Sequence, residues 1–125
     1  IPLPVAPENI SDALKALPKL GFAGANVTVP HKEAALAVVD EVSETANRIG
    51  AVNTLICKPD GTLFGDNTDA FGFIENLRVG APAWDPDAGR ALVLGAGGAA
   101  RAVVTALIDR AIYWWERCRG AVGRA

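Results

Sequence analysis

The chain has 125 residues, half of them hydrophobic, and its 12 basic and 14 acidic side chains leave a formal net charge of −2. The apolar content is sufficient for a core, and the lack of a basic excess argues against nucleic acid as a partner, so small polar metabolites are the expected ligands. No run approaches the roughly 20 apolar residues that span a bilayer, and Cys57 and Cys118 follow neither a metal-ligand nor a secreted disulfide spacing. These features predict a cytoplasmic protein with reduced thiols, without a metal site or a membrane contact.

The first 40 residues alternate between helical and strand patterns, and since the chain starts at Ile1 rather than Met, we expect further sequence upstream. Pro7 suits the first turn of a helix whose apolar stripe ends at Pro18. Residues 25–29 form a short β-branched run that predicts a buried parallel strand. Pro30 suits the first position of a second helix, which the alanine-rich pattern continues to residue 39.

A helix and a hairpin are predicted next. Residues 43–49 favour a short helix that ends at Gly50, a residue suited to a helix C-terminus. Residues 51–56 and 62–65 have strand composition, and the turn residues 58–61 between them predict an antiparallel hairpin. Downstream, the helical pattern resumes at residues 70–77.

The pattern changes at the Pro- and Gly-rich stretch 80–89, which divides the chain into two incomplete domains, residues 1–80 and 81–125. The second begins with a strand-like run, Leu92–Leu94, that feeds a glycine turn and a helix, the local geometry that receives a dinucleotide pyrophosphate. We therefore expect an α/β protein. Its first domain would have a mostly parallel sheet with one antiparallel hairpin arm, and the second would be the beginning of a Rossmann-type domain.

Lys32 is a candidate for proton transfer. Its position after Pro30 places it in the first turn of the predicted helix, at the positive end of the helix dipole, where a cation is disfavoured. The alternative is a surface lysine whose stem lies over Val29 while its ammonium reaches water. His31, beside a proline at a helix start, is interpreted as a packing or capping group rather than the base.

Asn53 and Asp69 are the other candidates from the pattern alone. The predicted hairpin could bring the amide of Asn53 and the carboxylate of Asp69 to one edge of the sheet. Taken singly, Asn53 could be a turn residue whose hydrogen bonds are satisfied locally, and Asp69 could cap the helix at residues 70–77. Asp69 could also serve in both roles.

Three motifs in order give a resemblance to a known family. Residues 26–32 (NVTVPHK), 49–54 (IGAVNT) and 65–69 (GDNTD) are similar to the signatures of the shikimate dehydrogenases, and the resemblance covers roughly residues 1–110. It implies the NADP-dependent reduction of 3-dehydroshikimate to shikimate in the chorismate pathway of aromatic amino-acid biosynthesis. A cytoplasmic monomer or homodimer with a small-molecule substrate is expected.

The resemblance also implies roles for residues. Lys32 would donate a proton to the substrate oxygen as hydride reaches the C3 carbonyl, and Asp69 would orient and pair with Lys32. The substrate-binding residues carried over from the motifs are Asn26, Thr28, Lys32, Asn53, Thr68 and Asp69.

The cofactor site is assigned to the glycine turn and to one arginine. The pyrophosphate would lie on Gly95, Ala96, Gly97, Gly98 and Ala99, with Ala100 in place of the last glycine of the fingerprint. NADP is the expected cofactor and NAD is the alternative. Glu116, which would suit the ribose hydroxyl of NAD, and Arg117, which would suit the phosphate of NADP, are adjacent at the ribose-binding position of the fingerprint. If residues 112–115 form a second strand, Arg117 falls at the phosphate-binding position; if the helix runs on, neither residue is near a ribose.

The chain also departs from the family. The N-terminal serine pair that holds the substrate carboxylate has no counterpart, and the nucleotide domain ends after one strand–helix unit, so we expect this segment alone to bind NADP weakly and to turn over negligibly. Alternatives are a quinate/shikimate dehydrogenase that uses NAD and a noncatalytic ligand-binding remnant. An enzyme resembling the methylenetetrahydrofolate dehydrogenases is disfavoured by the Asn-Thr-Asp loop.

Overall fold

The computed structural model describes residues 1–85 and 90–122, with side chains described as far as residue 110. Within this part the chain forms two compact units, Ile1–Thr68 and a second that begins at Asp69. The predicted domain boundary after residue 80 stays a prediction.

The first unit contains a short sheet and three short helices. A 3-10 turn at Pro7–Asn9 leads into the first helix, so the helix predicted from Pro7 is confirmed. The elements are α1 (Ile10–Ala16), β1 (Gly24–Asn26), α2 (Lys32–Leu36), β2 (Glu41–Val42), α3 (Glu44–Ile49), β3 (Thr54–Cys57) and β4 (Leu63–Asp66).

The four strands pair in the order β1-β3-β4-β2. The predicted α/β class and the β3–β4 hairpin are confirmed, but the expected predominance of parallel pairs is not found among the described strands. β1–β3 and β3–β4 are antiparallel, and only β2–β4 is parallel. β1 and β2 do run in the same direction, as their connection through α2 favours. The hairpin lies between them, and hydrophobic patterning predicts which face of a strand is buried rather than which strand is its neighbour.

The core of the first unit lies between α1 and the sheet. Ile10, Leu14 and Leu17 lie at helical spacing on the buried side of α1 and its end. Ala35 in α2 and Ala46 in α3 are fully buried, and these small side chains allow each helix to pack closely against the core. The remaining buried members of the cluster are Val27, Val52, Leu55 and Leu63.

The connection between β1 and α2 differs from the predicted boundaries. The strand ends at Asn26 rather than Val29, and the helix begins at Lys32 rather than Pro30. The carbonyl of Thr28 accepts a hydrogen bond from the His31 amide at 2.9 Å, so a turn separates the two elements. The Val29–Pro30 peptide within this turn is cis.

Helix α3 ends before Gly50 as predicted, and it begins at Glu44, one residue later than the predicted start at residue 43. The Ser43 hydroxyl accepts a hydrogen bond from the Ala46 amide at 3.0 Å and caps the N-terminus of α3. Gly50 ends the helix with a left-handed backbone, φ 72° and ψ 29°, which glycine adopts without steric cost.

The second unit contains two helices, α4 (Asp69–Gly80) and α5 (Gly98–Val122). The helix predicted at residues 70–77 is confirmed. The strand predicted at Leu92–Leu94 is wrong for the described residues, since the segment pairs with no other strand and Leu92 and Leu94 are each 86% exposed. A strand requires a neighbour for its backbone groups, and local composition cannot supply one. Neither α5 nor any other helix in the described ranges is long and apolar enough to cross a membrane.

Candidate active site

Backbone hydrogen bonds join the polar motifs of the first unit. The Val27 amide donates to the Asn53 carbonyl at 2.8 Å, and the Asn53 amide donates to the Asp66 carbonyl at 3.0 Å. The Val52 amide donates to the carbonyl of Lys32, also at 2.8 Å. The end of β1, the start of α2, the start of β3 and the end of β4 therefore meet around one residue, Asn53.

The Asn53 side chain is buried and held on both of its polar atoms. Its Oδ1 accepts from the Thr54 hydroxyl at 2.8 Å and from the Thr68 amide at 3.1 Å, while its Nδ2 donates to Thr68 Oγ1 at 3.2 Å. The local hydrogen bonding foreseen for a turn residue is thus present. The same bonds fix the position of Thr68, and the two predicted substrate-binding residues lie in direct contact.

Two further residues anchor the loop after β4. Asn67 is 3% exposed, and its Nδ2 donates to the Ala51 carbonyl at 2.8 Å. Asp66 Oδ1 accepts from the Ser43 hydroxyl at 2.5 Å and from the Asn67 amide at 2.7 Å. Neither residue was predicted to have an individual role. Their place inside GDNTD, beside the candidates Thr68 and Asp69, was the available signal.

Asn26 and Thr28 are exposed, and both line a cleft of about 650 Å³ in the first unit. The other walls of this cleft are residues 1–4, Phe22, Gly24 and Ala25. Polar groups at the rim of an otherwise apolar cleft suit the orientation of a small hydroxylated ligand.

Lys32 is the first residue of α2 and is half-buried, so its predicted place in the first helical turn is confirmed. The neighbouring His31 is also half-buried, and its Nε2 donates to the Val5 carbonyl at 2.9 Å. This contact between positions far apart in the chain confirms the packing role expected for His31.

Asp69 directly follows Thr68 and opens the second unit as the first residue of α4. Its carboxylate is half-buried. The pairing of Asp69 with Lys32 stays a prediction.

The glycine turn of the second unit has local features that fit a pyrophosphate. Gly95 has φ +112°, which L side chains rarely adopt, and a Cβ built on Gly97 would meet no atom within 4 Å. The Arg101 amide donates to the Gly97 carbonyl at 3.0 Å, and α5 begins at Gly98. An open backbone at the N-terminus of a long helix is suited to an anion.

The second strand that would have placed Arg117 beside a cofactor phosphate is absent. Helix α5 continues through residues 112–115 to Val122. Of the two predictions for this segment, the one in which the helix runs on therefore holds for the backbone. The chain has no strand there because α5 passes this point without a break. The side chains of Glu116 and Arg117 lie outside the described residues.

Comparison with known proteins shows which family this chain is similar to. Residues 1–55 match the family model of the shikimate dehydrogenase substrate binding domain. The NADP(+) shikimate dehydrogenase of Paramagnetospirillum magneticum is 62% identical over 112 residues, which are 90% of this chain and 41% of that protein. The corresponding enzyme of Rhodospirillum rubrum is 62% identical over 109 residues, 87% of this chain and 38% of the relative. The chain thus spans about 40% of the length of these relatives.

A solved structure gives the same result at the level of the fold. The shikimate 5-dehydrogenase of Thermus thermophilus, in complex with NADP(H) and shikimate, is 50% identical with a TM-score of 0.75, covering 85% of this chain and 39% of that one. The quinate dehydrogenase of Corynebacterium glutamicum, in complex with NAD, is 39% identical with a TM-score of 0.66 over 80% of this chain and 35% of that one. The predicted resemblance to the shikimate/quinate dehydrogenase family is confirmed.

Proposed function

We propose that this chain, which is similar to shikimate dehydrogenases over nine-tenths of its length, carries the substrate site of an enzyme that reduces 3-dehydroshikimate to shikimate with NADPH. The observation that supports this best is the cluster around Asn53, which joins the three family motifs through the Lys32 carbonyl, the Val27 amide and Thr68. A hydroxylated ring offers little apolar surface, so its recognition requires short donors and acceptors at fixed positions. The buried amide of Asn53 and the exposed hydroxyls of Thr28 and Thr68 suit that requirement.

In the proposed reaction, Nζ of Lys32 gives its proton to the C3 oxygen while the carbonyl carbon accepts a hydride. The π bond of the carbonyl breaks, and one C–H and one O–H bond form. In the oxidative direction, the neutral amine of Lys32 takes the proton from the hydroxyl. The carboxylate of Asp69 pairs with the ammonium and orients it, and Asn26, Thr28, Asn53 and Thr68 bind the substrate hydroxyls.

Bound NADPH would supply the hydride. We assign its pyrophosphate to the backbone amides of residues 95–99, on the open glycine turn and the N-terminus of α5. The amides bind by geometry and dipole, so this part of the site does not distinguish NADP from NAD.

We also propose that the protein is cytoplasmic and is a monomer or a homodimer. Cys57 is a free thiol, and burial raises its pKa. A thiol of this kind fits a reducing compartment.

A chimera tests the proposed function. The segment of the Paramagnetospirillum magneticum enzyme that aligns with this chain would be replaced by the 112 matching residues of this chain. We expect shikimate-dependent formation of NADPH, followed by absorbance, because every residue assigned to the substrate is then supplied by this chain. A folded chimera that binds neither shikimate nor NADP would contradict the proposal, and one that binds shikimate without turnover would favour the noncatalytic ligand-binding alternative.

Lys32→Ala in the same chimera tests the proton-transfer role. Loss of the only assigned proton donor should lower kcat by about two to four orders of magnitude, the range for general acid–base groups, while shikimate binding changes little. Lys19→Ala is the matched control, because Lys19 is an exposed lysine that follows α1. Unchanged kcat in the Lys32 variant would remove Lys32 from this role.

The second candidate is a quinate/shikimate dehydrogenase that uses NAD, which the similarity to the NAD-bound quinate dehydrogenase favours. Quinate and shikimate would be compared as substrates of the chimera, since the substrate residues come from this chain. A higher kcat/KM for quinate would support this candidate over the first.

A further inference from the structure

We propose that the second unit contains a separate binding site for a small aromatic carboxylate, formed by α4, the turn that follows it and α5. A cavity of about 150 Å³ lies there. A cavity of this volume accommodates a benzene ring. Its walls are Ile74, Arg78, Ala81, Pro82, Trp84 and Arg110, none of which belongs to the polar cluster or to the glycine turn.

The apolar part of the cavity is held in place by hydrogen-bonded backbone. The Ala81 amide donates to the Leu77 carbonyl at 2.9 Å, and the Trp84 amide donates to the Ala81 carbonyl at 2.8 Å. This turn directs the chain back along α4, where Ile74 is 7% exposed. The half-buried indole of Trp84 and the pyrrolidine of Pro82 offer flat surfaces against which an aromatic ring packs.

Among the side chains that the structure describes, the polar part of the cavity carries two guanidinium groups and no carboxylate. Arg110 is exposed and has no ion-pair or hydrogen-bond partner among the described residues. Arg78 donates from Nη2 to Glu75 at 2.9 Å in an exposed pair, and a guanidinium has five N–H groups, so this pair leaves donors of Arg78 for a second acceptor. Two guanidinium groups beside a flat apolar wall are suited to a carboxylate attached to an aromatic ring, because a carboxylate accepts charge-assisted bonds from both. A ring that carries an ammonium group instead would be repelled by the same guanidinium groups.

Benzoate is the probe for this site. Its binding to the 125-residue chain would be followed through the indole N–H signal of Trp84 in ¹H–¹⁵N spectra, assigned by its disappearance in Trp84→Phe. We expect a saturable shift of that signal, and affinity at least about tenfold weaker for benzyl alcohol, which has the ring without the charge. No saturable shift, or equal affinity for the two compounds, would overturn the proposal.

Single-charge variants provide the second measurement. Arg110→Gln and Arg78→Gln should each raise the Kd for benzoate by about fivefold or more, since each removes one charge-assisted contact. Both positions are exposed, so neither substitution should disturb the fold. Arg48→Gln, which removes one guanidinium from α3 in the first unit, is the matched control and should leave the Kd unchanged. Unchanged affinity in both cavity variants, or equal weakening in the control, would show that benzoate does not bind this cavity through its two arginines.

Discussion

The side chain of Asn53 connects segments that are distant in sequence, because its Oδ1 and Nδ2 bind both Thr54 and the backbone and hydroxyl of Thr68. The Asn53 side chain is buried, whereas Thr54 is half-buried and Thr68 is exposed. A buried amide whose partners lie on two different segments fixes their relative position as well as adding stability. Stability and the proposed substrate recognition therefore depend on the same residue.

Asn53→Ala should lower the free energy of unfolding by about 1–3 kcal/mol, because it leaves the Thr68 amide and the Thr54 hydroxyl without their acceptor. Asn47→Ala is the matched control, since Asn47 is exposed on α3 and should change the free energy by no more than about 0.5 kcal/mol. Urea denaturation followed by circular dichroism measures both. Equal effects of the two substitutions would show that the buried amide contributes nothing specific.

At the scale of the element, two glycines differ sharply in what surrounds them. A Cβ on Gly65 of β4 would lie 2.8 Å from Val52 Cγ2 and 3.0 Å from Val39 Cγ1, whereas a Cβ on Gly72 of α4 would meet nothing within 4 Å. The strand is closely packed against its neighbours, while this face of the helix is open. Neither environment can be read from the glycine itself.

Gly65→Ala should therefore destabilise the chain by about 1–3 kcal/mol through overpacking. Gly72→Ala should stabilise it by about 0.5–1 kcal/mol, because alanine favours a helix interior and no atom opposes it. Thermal and urea unfolding of the two variants measure whether the free energy of unfolding falls in the first and rises in the second. A stabilising Gly65→Ala would contradict the close packing of β4.

The turn of the β3–β4 hairpin contains a carboxylate with a lowered pKa. The Thr62 hydroxyl and the Thr62 amide donate to Asp60 Oδ1 at 2.7 and 2.9 Å, and these bonds, with a smaller contribution from the charge of Lys58, hold the pKa of Asp60 below its ordinary value of 3.8. The folded chain thus binds this proton less readily than the unfolded chain. The contribution of Asp60 to stability is complete above pH 3.8 and is lost as the pH falls through the folded pKa.

Asp60→Asn should remove this pH dependence, since the amide does not titrate. The difference in unfolding midpoint between the original chain and the variant is expected to be constant from about pH 6 to about pH 4 and to shrink toward about pH 2. Asp12→Asn, at an exposed position of α1, is the matched control. A difference that grows as the pH falls would contradict the sign of the shift.

At the scale of the whole molecule, the proposed substrate residues and the proposed cofactor residues lie mostly in different compact units. The Asn53 cluster belongs to Ile1–Thr68, and the glycine turn belongs to the unit that begins at Asp69. Substitutions that share no interaction partner usually have additive effects on stability, and we extend this expectation to binding.

Gly95→Val and Asn53→Ala in the chimera should therefore have separate effects on binding. The Gly95 variant should weaken NADP binding, because valine is strained at φ +112°, and should leave shikimate binding within about twofold. The Asn53 variant should do the reverse. Calorimetric titration of each ligand against each variant measures this, and loss of both ligands in both variants would contradict the separate assignment.

The sequence by itself determined the type and approximate position of most elements of the first unit. The spacing of Ile10, Leu14 and Leu17 and the glycine at position 50 act over one or two turns, so local physical chemistry is sufficient to predict them. The three ordered motifs also predicted the resemblance to the shikimate dehydrogenases, because each motif is a short segment of defined composition.

Only the tertiary structure decided which segments are neighbours. Among the described residues no strand pairs with Leu92–Leu94, and α5 continues through residues 112–115. The insertion of the hairpin between β1 and β2 depends on contacts between distant positions. The same is true of Asn67 and Asp66, whose partners Ala51 and Ser43 lie on other segments. Local propensity determines what a segment can form, whereas pairing and burial depend on which surfaces the folded chain brings into contact.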